Sequence, residues 1–225
     1  MKLHYNTVTT LLKNTLDKLM TTELLFPFRL VGGTALSLQI GHRFSIDIDL
    51  FTDAKYKSID FSAIENYLKR EFNYVDSPSS GEVAFGKSFY IGNSAQECVK
   101  LDLFYTDAFI RDASIIDGIR LATIEEIAAM KIDVIQRGGR KKDFWDIHEL
   151  LNDYSIQELL SLHEERYPYT HDKEEIISMF TNFKIADNDF NPICLLHKHW
   201  EIIRLDITEA ISEYKINNTI FSAKR

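Results

Sequence analysis

Hydrophobic positions in the first part of the chain recur at helical spacing. Val8, Leu12, Leu16 and Leu19 fall on one side of an amphipathic helix over residues 6–25, and Pro27 lies just past its end. Residues 29–31 read as a short strand that enters the pair Gly32-Gly33. A short helix over 34–40 follows, with Gly41 placed to close it. Residues 44–51 read as a strand. Ile46, Ile48 and Leu50 share one face of it, while Asp47, Asp49 and Phe51 share the other. Phe61, Ile64, Leu68 and Phe72 mark a helix over 60–72. The period then drops to two. Residues 74–75, 83–85, 88–91 and 99–105 read as strands separated by Gly, Ser, Pro and Asn.

From Thr123 the pattern is helical. Thr123 and Glu126 have capping-box spacing before an apolar-periodic run that Gly138-Gly139 stops. A helix over 143–151 comes next, then a second capping box at Ser155 and Glu158, and helices near 172–182 and 195–215. The fold class expected is α+β. A mixed-sheet lobe over 1–115 would precede an all-helical lobe over 116–225, with the junction near 116–121 and no Pro/Gly-rich linker.

At 225 residues, with 45% hydrophobic and 27% charged residues, the chain can build a sizeable core, and fifteen Phe and ten Tyr supply large side chains for it. The net charge of −8 argues against a broad nucleic-acid-binding surface. It leaves room for a basic patch near 137–142, and for Mg²⁺ or a basic partner. Cys98 and Cys194 are too few and too far apart for a disulfide framework or a zinc motif. The N-terminal residues carry no continuous apolar segment of signal-peptide type, and no apolar run is long enough to span a bilayer. A cytoplasmic protein with no membrane contact is expected.

The chemistry concentrates at residues 31–51. Asp47 and Asp49 present two carboxylates on one strand face, and such a pair repels itself unless a cation sits between. Gly32, Gly33 and Thr34 stand where a helix begins, and helix N-termini bind phosphate through backbone N–H groups and the dipole. Together they point to phosphoryl or nucleotidyl transfer. The plainer alternatives are a solvated strand face, and an ordinary turn with Thr34 as N-cap. Two Asp in so short a strand are uncommon, which favours the metal reading.

The string Gly-Gly-Thr-Ala-Leu from Gly32, followed by His-Arg-Phe-Ser-Ile-Asp-Ile-Asp-Leu-Phe from His42, resembles the AbiEii/AbiGii-type toxin nucleotidyltransferases. These belong to bacterial type IV toxin–antitoxin and abortive-infection systems, within the DNA polymerase β-type superfamily. The resemblance implies a polymerase β-type lobe and a helical lobe that completes the active-site cleft. It implies two Mg²⁺ ions on Asp47 and Asp49, NTP as substrate, and Arg43 and Ser45 near the phosphates. An exposed surface position is the alternative for Arg43. A third carboxylate from a neighbouring strand would complete the metal site or act as general base. Asp102, on the polar face of the alternating 99–104 segment, is the candidate, with an exposed strand face as its alternative.

Two later motifs extend the likeness. Lys131 lies on the side of its helix that carries Ile127, Ala128, Val134 and Ile135. A lysine in an apolar stripe must snorkel, pair with an acid or face a cleft. The resemblance implies that it balances triphosphate charge. The stretch from Gln136 to Leu150 resembles the family's second signature, a basic turn followed by Lys-Asp-x-x-Asp. Asp146 would be tied to activity by holding the lysine or the base, while Asp143 is also explained as an N-cap. Arg137, Arg140, Lys141 and Lys142 are candidate contacts for an acceptor or nucleotide phosphate, or simply a solvated turn. His197 and His199 do not share a helix face and make a poor metal pair.

The function expected is Mg²⁺-dependent transfer of a nucleoside monophosphate from NTP to an acceptor. The resemblance implies a tRNA acceptor and a cognate antitoxin encoded nearby. Two other readings stay open. One is an antibiotic-type enzyme acting on a small cationic hydroxyl compound, and the other is a nucleotide-binding module without catalysis.

Overall fold

The computed structural model describes residues 2–77 and 84–222. It divides into two compact units, Met1–Ile124 and Glu125–Arg225.

In the first unit, α1 (Thr10–Thr21) is shorter than the expected 6–25 because Thr9 caps it. The Thr9 hydroxyl accepts the Leu12 N–H at 3.0 Å, and separate 3-10 turns flank the helix at Tyr5–Thr7 and Glu23–Leu25. Next come β1 (Arg29–Leu30), α2 (Gly32–Ile40), β2 (Asp47–Thr52) and α3 (Phe61–Glu71). Then follow β3 (Tyr74–Asp76), β4 (Gly86–Ser94), β5 (Glu97–Tyr105), β6 (Ser114–Ile116) and β7 (Ile119–Leu121). The strand expected over 83–85 begins outside the described residues. Ala84 and Phe85 form a bend, and pairing starts at Gly86.

The strands form one mixed sheet in the order β3-β4-β5-β2-β1-β7-β6. β2 runs parallel to β5, and β1 parallel to β7, while the other neighbours are antiparallel. Leu30, Ile48, Leu50, Leu101, Leu103 and Leu121 are fully buried on the core face. α1 packs on β2, β5 and β7 and contributes the buried Leu12, Leu16 and Leu19. That face is the apolar half of the alternation read from sequence, so the polar half is turned to the opposite side.

The division after Ile124 falls past the expected boundary at 115. Residues 114–121 make a hairpin rather than a junction. Asp117 (φ 52°) and Gly118 (φ 79°) form its two-residue turn, and Leu30 of β1 pairs with Leu121.

The second unit is helical: α4 (Ile124–Gln136), α5 (Lys141–Leu150), α6 (Ile156–Arg166), α7 (Lys173–Met179) and α8 (Trp200–Ser222). Gly138, at φ 92°, ends α4. Both halves of the α6 capping box form, with Ser155 N donating to Glu158 Oε2 at 2.7 Å and Glu158 N to Ser155 Oγ at 3.3 Å. α8 starts later than expected, since His197 takes a left-handed conformation (φ 57°) that no helix accommodates. Trp145 and Trp200 stack at 5.9 Å, with Phe144 and Phe183 edge-on to the cluster. Among the described residues, no helix is long and apolar enough to cross a membrane.

Candidate active site

The site of the first unit grows from two adjacent parallel strands. Asp49 of β2 stands opposite Asp102 of β5, and Asp47 stands opposite Lys100. Laterally paired residues point to the same side of a sheet, so three carboxylates and one ammonium share a patch. Along both strands these positions are half-buried, while Ile48, Leu50, Leu101 and Leu103 between them are fully buried. Ser88 and Tyr90 of β4 continue the two rows.

Lys100 Nζ lies 2.6 Å from Asp102 Oδ2. Burial, the largest single influence, pulls the lysine pKa down. The hydrogen bond to Asp102 and the charges of Asp102, Asp47 and Asp49 together outweigh it and hold the pKa above its ordinary value. The other oxygen, Asp102 Oδ1, is buried and has no hydrogen-bond partner among the described residues.

Beside this patch, α2 begins at Gly32 itself, not at residue 34. Its N-cap is Val31, which offers no side-chain cap. Gly32 takes φ +68°, and a Cβ there would come within 2.7 Å of Asp49 Oδ2. A Cβ on Gly33 would collide with the Arg43 guanidinium. The two glycines therefore let a carboxylate and a guanidinium reach the start of the helix. Arg43 is only 3% exposed, so it is no surface arginine, and its Nη1 donates to Phe44 O at 3.2 Å. A cation set against a helix N-terminus opposes the dipole, an arrangement suited to an anion.

Thr34 is the third residue of the helix rather than its N-cap. Its buried hydroxyl donates to Asp47 O and lies 2.8 Å from Ser45 Oγ. Val31 N donates to Asp49 O at 2.9 Å, and Ser45 N to Thr7 O at 2.8 Å. Thr34 and Ser45 thus bind the start of α2 to the start of β2.

The donor set fits a hard divalent cation. All candidate ligands are carboxylate oxygens, and Asp102 Oδ1 is a buried acceptor with no donor among the described residues. Among the described residues, however, no group of three or more His, Cys, Asp or Glu side chains is gathered as a metal site. Asp102 turns its second oxygen to Lys100 instead.

The second unit holds the other sequence candidates. Lys131 is 6% exposed and pairs with Asp143 Oδ1 at 2.7 Å and Asp146 Oδ2 at 2.6 Å. Asp143 is not the N-cap of α5. It sits one turn in and accepts Arg140 N at 2.9 Å through Oδ2. Lys131 therefore already faces two buried carboxylates, and balancing a triphosphate would require it to leave them. The basic turn is also partnered. Arg137 pairs with Asp133, Arg140 reaches Asp189 at 3.0 Å, and Lys141 donates to Asn191 Oδ1 at 3.0 Å and lies over the Trp200 ring. Lys142 lies on α5 next to Lys141, partly exposed.

Lys100 was not singled out in the sequence. The signal for it was present, because a residue two before Asp102 in an alternating strand shares its face.

The family model for the nucleotidyl transferase AbiEii toxin of type IV toxin–antitoxin systems matches residues 16–216. An uncharacterized protein of Aquifex aeolicus is 26% identical over 210 residues, covering 91% of this chain and 96% of its own length. Two solved structures share the fold. JHP933 from Helicobacter pylori has a TM-score of 0.60 at 20% identity, covering 96% of this chain and 95% of its own. MenT4, a nucleotidyltransferase toxin of Mycobacterium tuberculosis, has a TM-score of 0.51 at 13% identity, covering 90% and 83%. The chain belongs to the AbiEii nucleotidyltransferase toxin family. It is a nucleotidyltransferase of the type IV toxin–antitoxin kind, and that membership implies an NTP substrate and an antitoxin partner.

Proposed function

From that membership we infer that the protein moves a nucleoside monophosphate from an NTP to the 3′ end of a tRNA with Mg²⁺, releasing pyrophosphate. A cognate antitoxin encoded nearby restrains it, and it works in the cytoplasm. The observation that carries the reading is the opposition of Asp49 and Asp102 next to the uncapped start of α2.

Each residue has a role that its surroundings support. The backbone N–H groups at Gly32 and Gly33, with the Arg43 guanidinium beside them, receive the triphosphate. Asp47, Asp49 and Asp102 would hold the Mg²⁺. Bound there, the metal would neutralise phosphate charge and lower the pKa of the acceptor hydroxyl. Asp102 Oδ1, a buried acceptor without a hydrogen-bond partner among the described residues, would take the proton of that hydroxyl. Thr34 and Ser45 keep helix and strand in register.

The test is a transfer assay with purified protein, Mg²⁺, bacterial tRNA and each α-labelled NTP in turn, next to Asp49→Ala. Label in tRNA with the intact protein alone supports the reading and names the base. Label that moves only to an aminated sugar would replace tRNA with a small cationic acceptor, which a chain of net charge −8 suits. Nucleotide binding with no transfer to either acceptor would sink the catalytic reading.

A further inference from the structure

We propose that Lys100 is a resident counter-cation of the acidic patch, which occupies the metal's electrostatic place before loading and must swing off Asp102 for a divalent ion to bind. This rests on the assignment of Asp47, Asp49 and Asp102 as the metal-holding group. Lys100 is a positioning residue and acts through those carboxylates.

Three observations carry it. Lys100 Nζ contacts Asp102 Oδ2 at 2.6 Å, at the distance of a strong charge-assisted hydrogen bond. Strand register sets Lys100 directly opposite Asp47, two positions along from the Asp49–Asp102 pair and on the same face, so its ammonium feels all three carboxylates. The lysine side chain is 38% exposed and Asp102 is 16% exposed. The ammonium is thus the more exposed of the two partners and can move out into solvent while the carboxylate stays on its strand.

Three carboxylates on two adjacent strands repel one another strongly in a half-buried setting. Without a cation the patch would strain the β2–β5 pairing. Lysine suits a temporary role, since its four-carbon stem is flexible and its ammonium is readily rehydrated. The metal and the ammonium compete for the same charge, so metal affinity is lower than the carboxylates alone would set. In return the site stays ordered when no metal is bound.

The experiment measures Mn²⁺ and Mg²⁺ binding to the full chain by calorimetry, and thermal unfolding with and without each ion, with no nucleotide present. Wild type is compared with Lys100→Met, Lys100→Arg and Asp102→Asn. Lys100→Met is expected to bind Mn²⁺ about tenfold tighter. It should melt lower than wild type without metal and recover when metal is added. Lys100→Arg should keep wild-type behaviour in both. Should Lys100→Met fail to fold even with metal, Lys100→Gln takes its place.

Equal or weaker Mn²⁺ binding by Lys100→Met, with wild type binding and Asp102→Asn impaired, would overturn the counter-cation role alone. So would a loss of NTP affinity with metal affinity unchanged, which would make Lys100 a phosphate contact. If Asp102→Asn binds metal as wild type does, the metal-holding assignment fails first, and this proposal fails with it.

Discussion

Asp49 and Asp102 stand 53 positions apart in the sequence and directly opposite each other in the structure, because β2 pairs in parallel with β5. Asp49 is also the carboxylate that reaches the start of α2, since a side chain on Gly32 would strike its Oδ2. One carboxylate therefore serves both the strand pair and the helix start.

Replacing Asp49 with Asn removes one charge and changes little in shape. Transfer should fall by about three orders of magnitude, the scale of losing a metal ligand. The melting temperature should hold or rise, because a like-charge contact is relieved. A large drop in stability would mean that Asp49 is structural. Initial rates and thermal melts of the pair of proteins decide it.

Gly33→Ala puts a methyl group where the Arg43 guanidinium lies. Arg43 is buried and has little room to retreat. The expected result is a KM for NTP raised about tenfold with a stability loss of about 1 kcal/mol. Steady-state kinetics together with urea unfolding test both halves. Unchanged KM would remove Arg43 and the glycine pair from the phosphate site.

Lys131→Met strands Asp143 and Asp146 in the interior without their cation. Loss of one partner from a buried ion cluster costs about 3–5 kcal/mol, so urea unfolding should report a loss of that order. Adding Asp146→Leu should recover part of it. Full stability with lost activity would instead show that Lys131 acts on substrate.

Acid should loosen the second unit as pH falls below 6.5. His163 Nδ1 and His171 Nδ1 lie 2.9 Å apart, a contact that cannot survive with both rings protonated. Burial first, and the charge of His163 second, push the His171 pKa below its ordinary 6.5. The unfolded chain then binds the proton more readily than the folded one. Stability from this pair is complete above pH 6.5 and is lost as pH falls through the lowered value. Melts between pH 8 and 5 should slope downward toward acid, and His171→Asn should flatten that slope. An equal slope in both proteins would exclude the pair as its source.

Much of this architecture was legible in the chain. The alternation at 47–51 gave the correct inner and outer faces of β2, and Gly41, at φ 74°, closes α2 as its position suggested; Ile46, read on the inner face, instead lies before the strand and is 62% exposed. The α6 capping box forms as read. The hairpin at 114–121 was missed even though Asp117-Gly118 is a two-residue turn signal. Its strands are only three residues long, too short for a period to register.

At the site, composition and spacing marked Asp47, Asp49 and Asp102 as carboxylates on polar strand faces. They did not supply strand order or register, which alone put Lys100 opposite Asp47. The partners of Lys131 were half legible. Asp143 and Asp146 share a helix face with each other, but their approach to another helix is a tertiary fact. Arg43 was ambiguous for the same reason, since burial of a charged residue depends on what packs around it.

The bonds from Thr34 to Asp47 and from Val31 to Asp49 have a kinetic consequence. The helix start and the carboxylate strand cannot drift independently, so a nucleotide received there, as proposed, would meet an assembled cradle and lose little entropy in shaping it. Its arrival and departure would need no refolding of residues 31–49, which would leave the encounter rate to diffusion and charge.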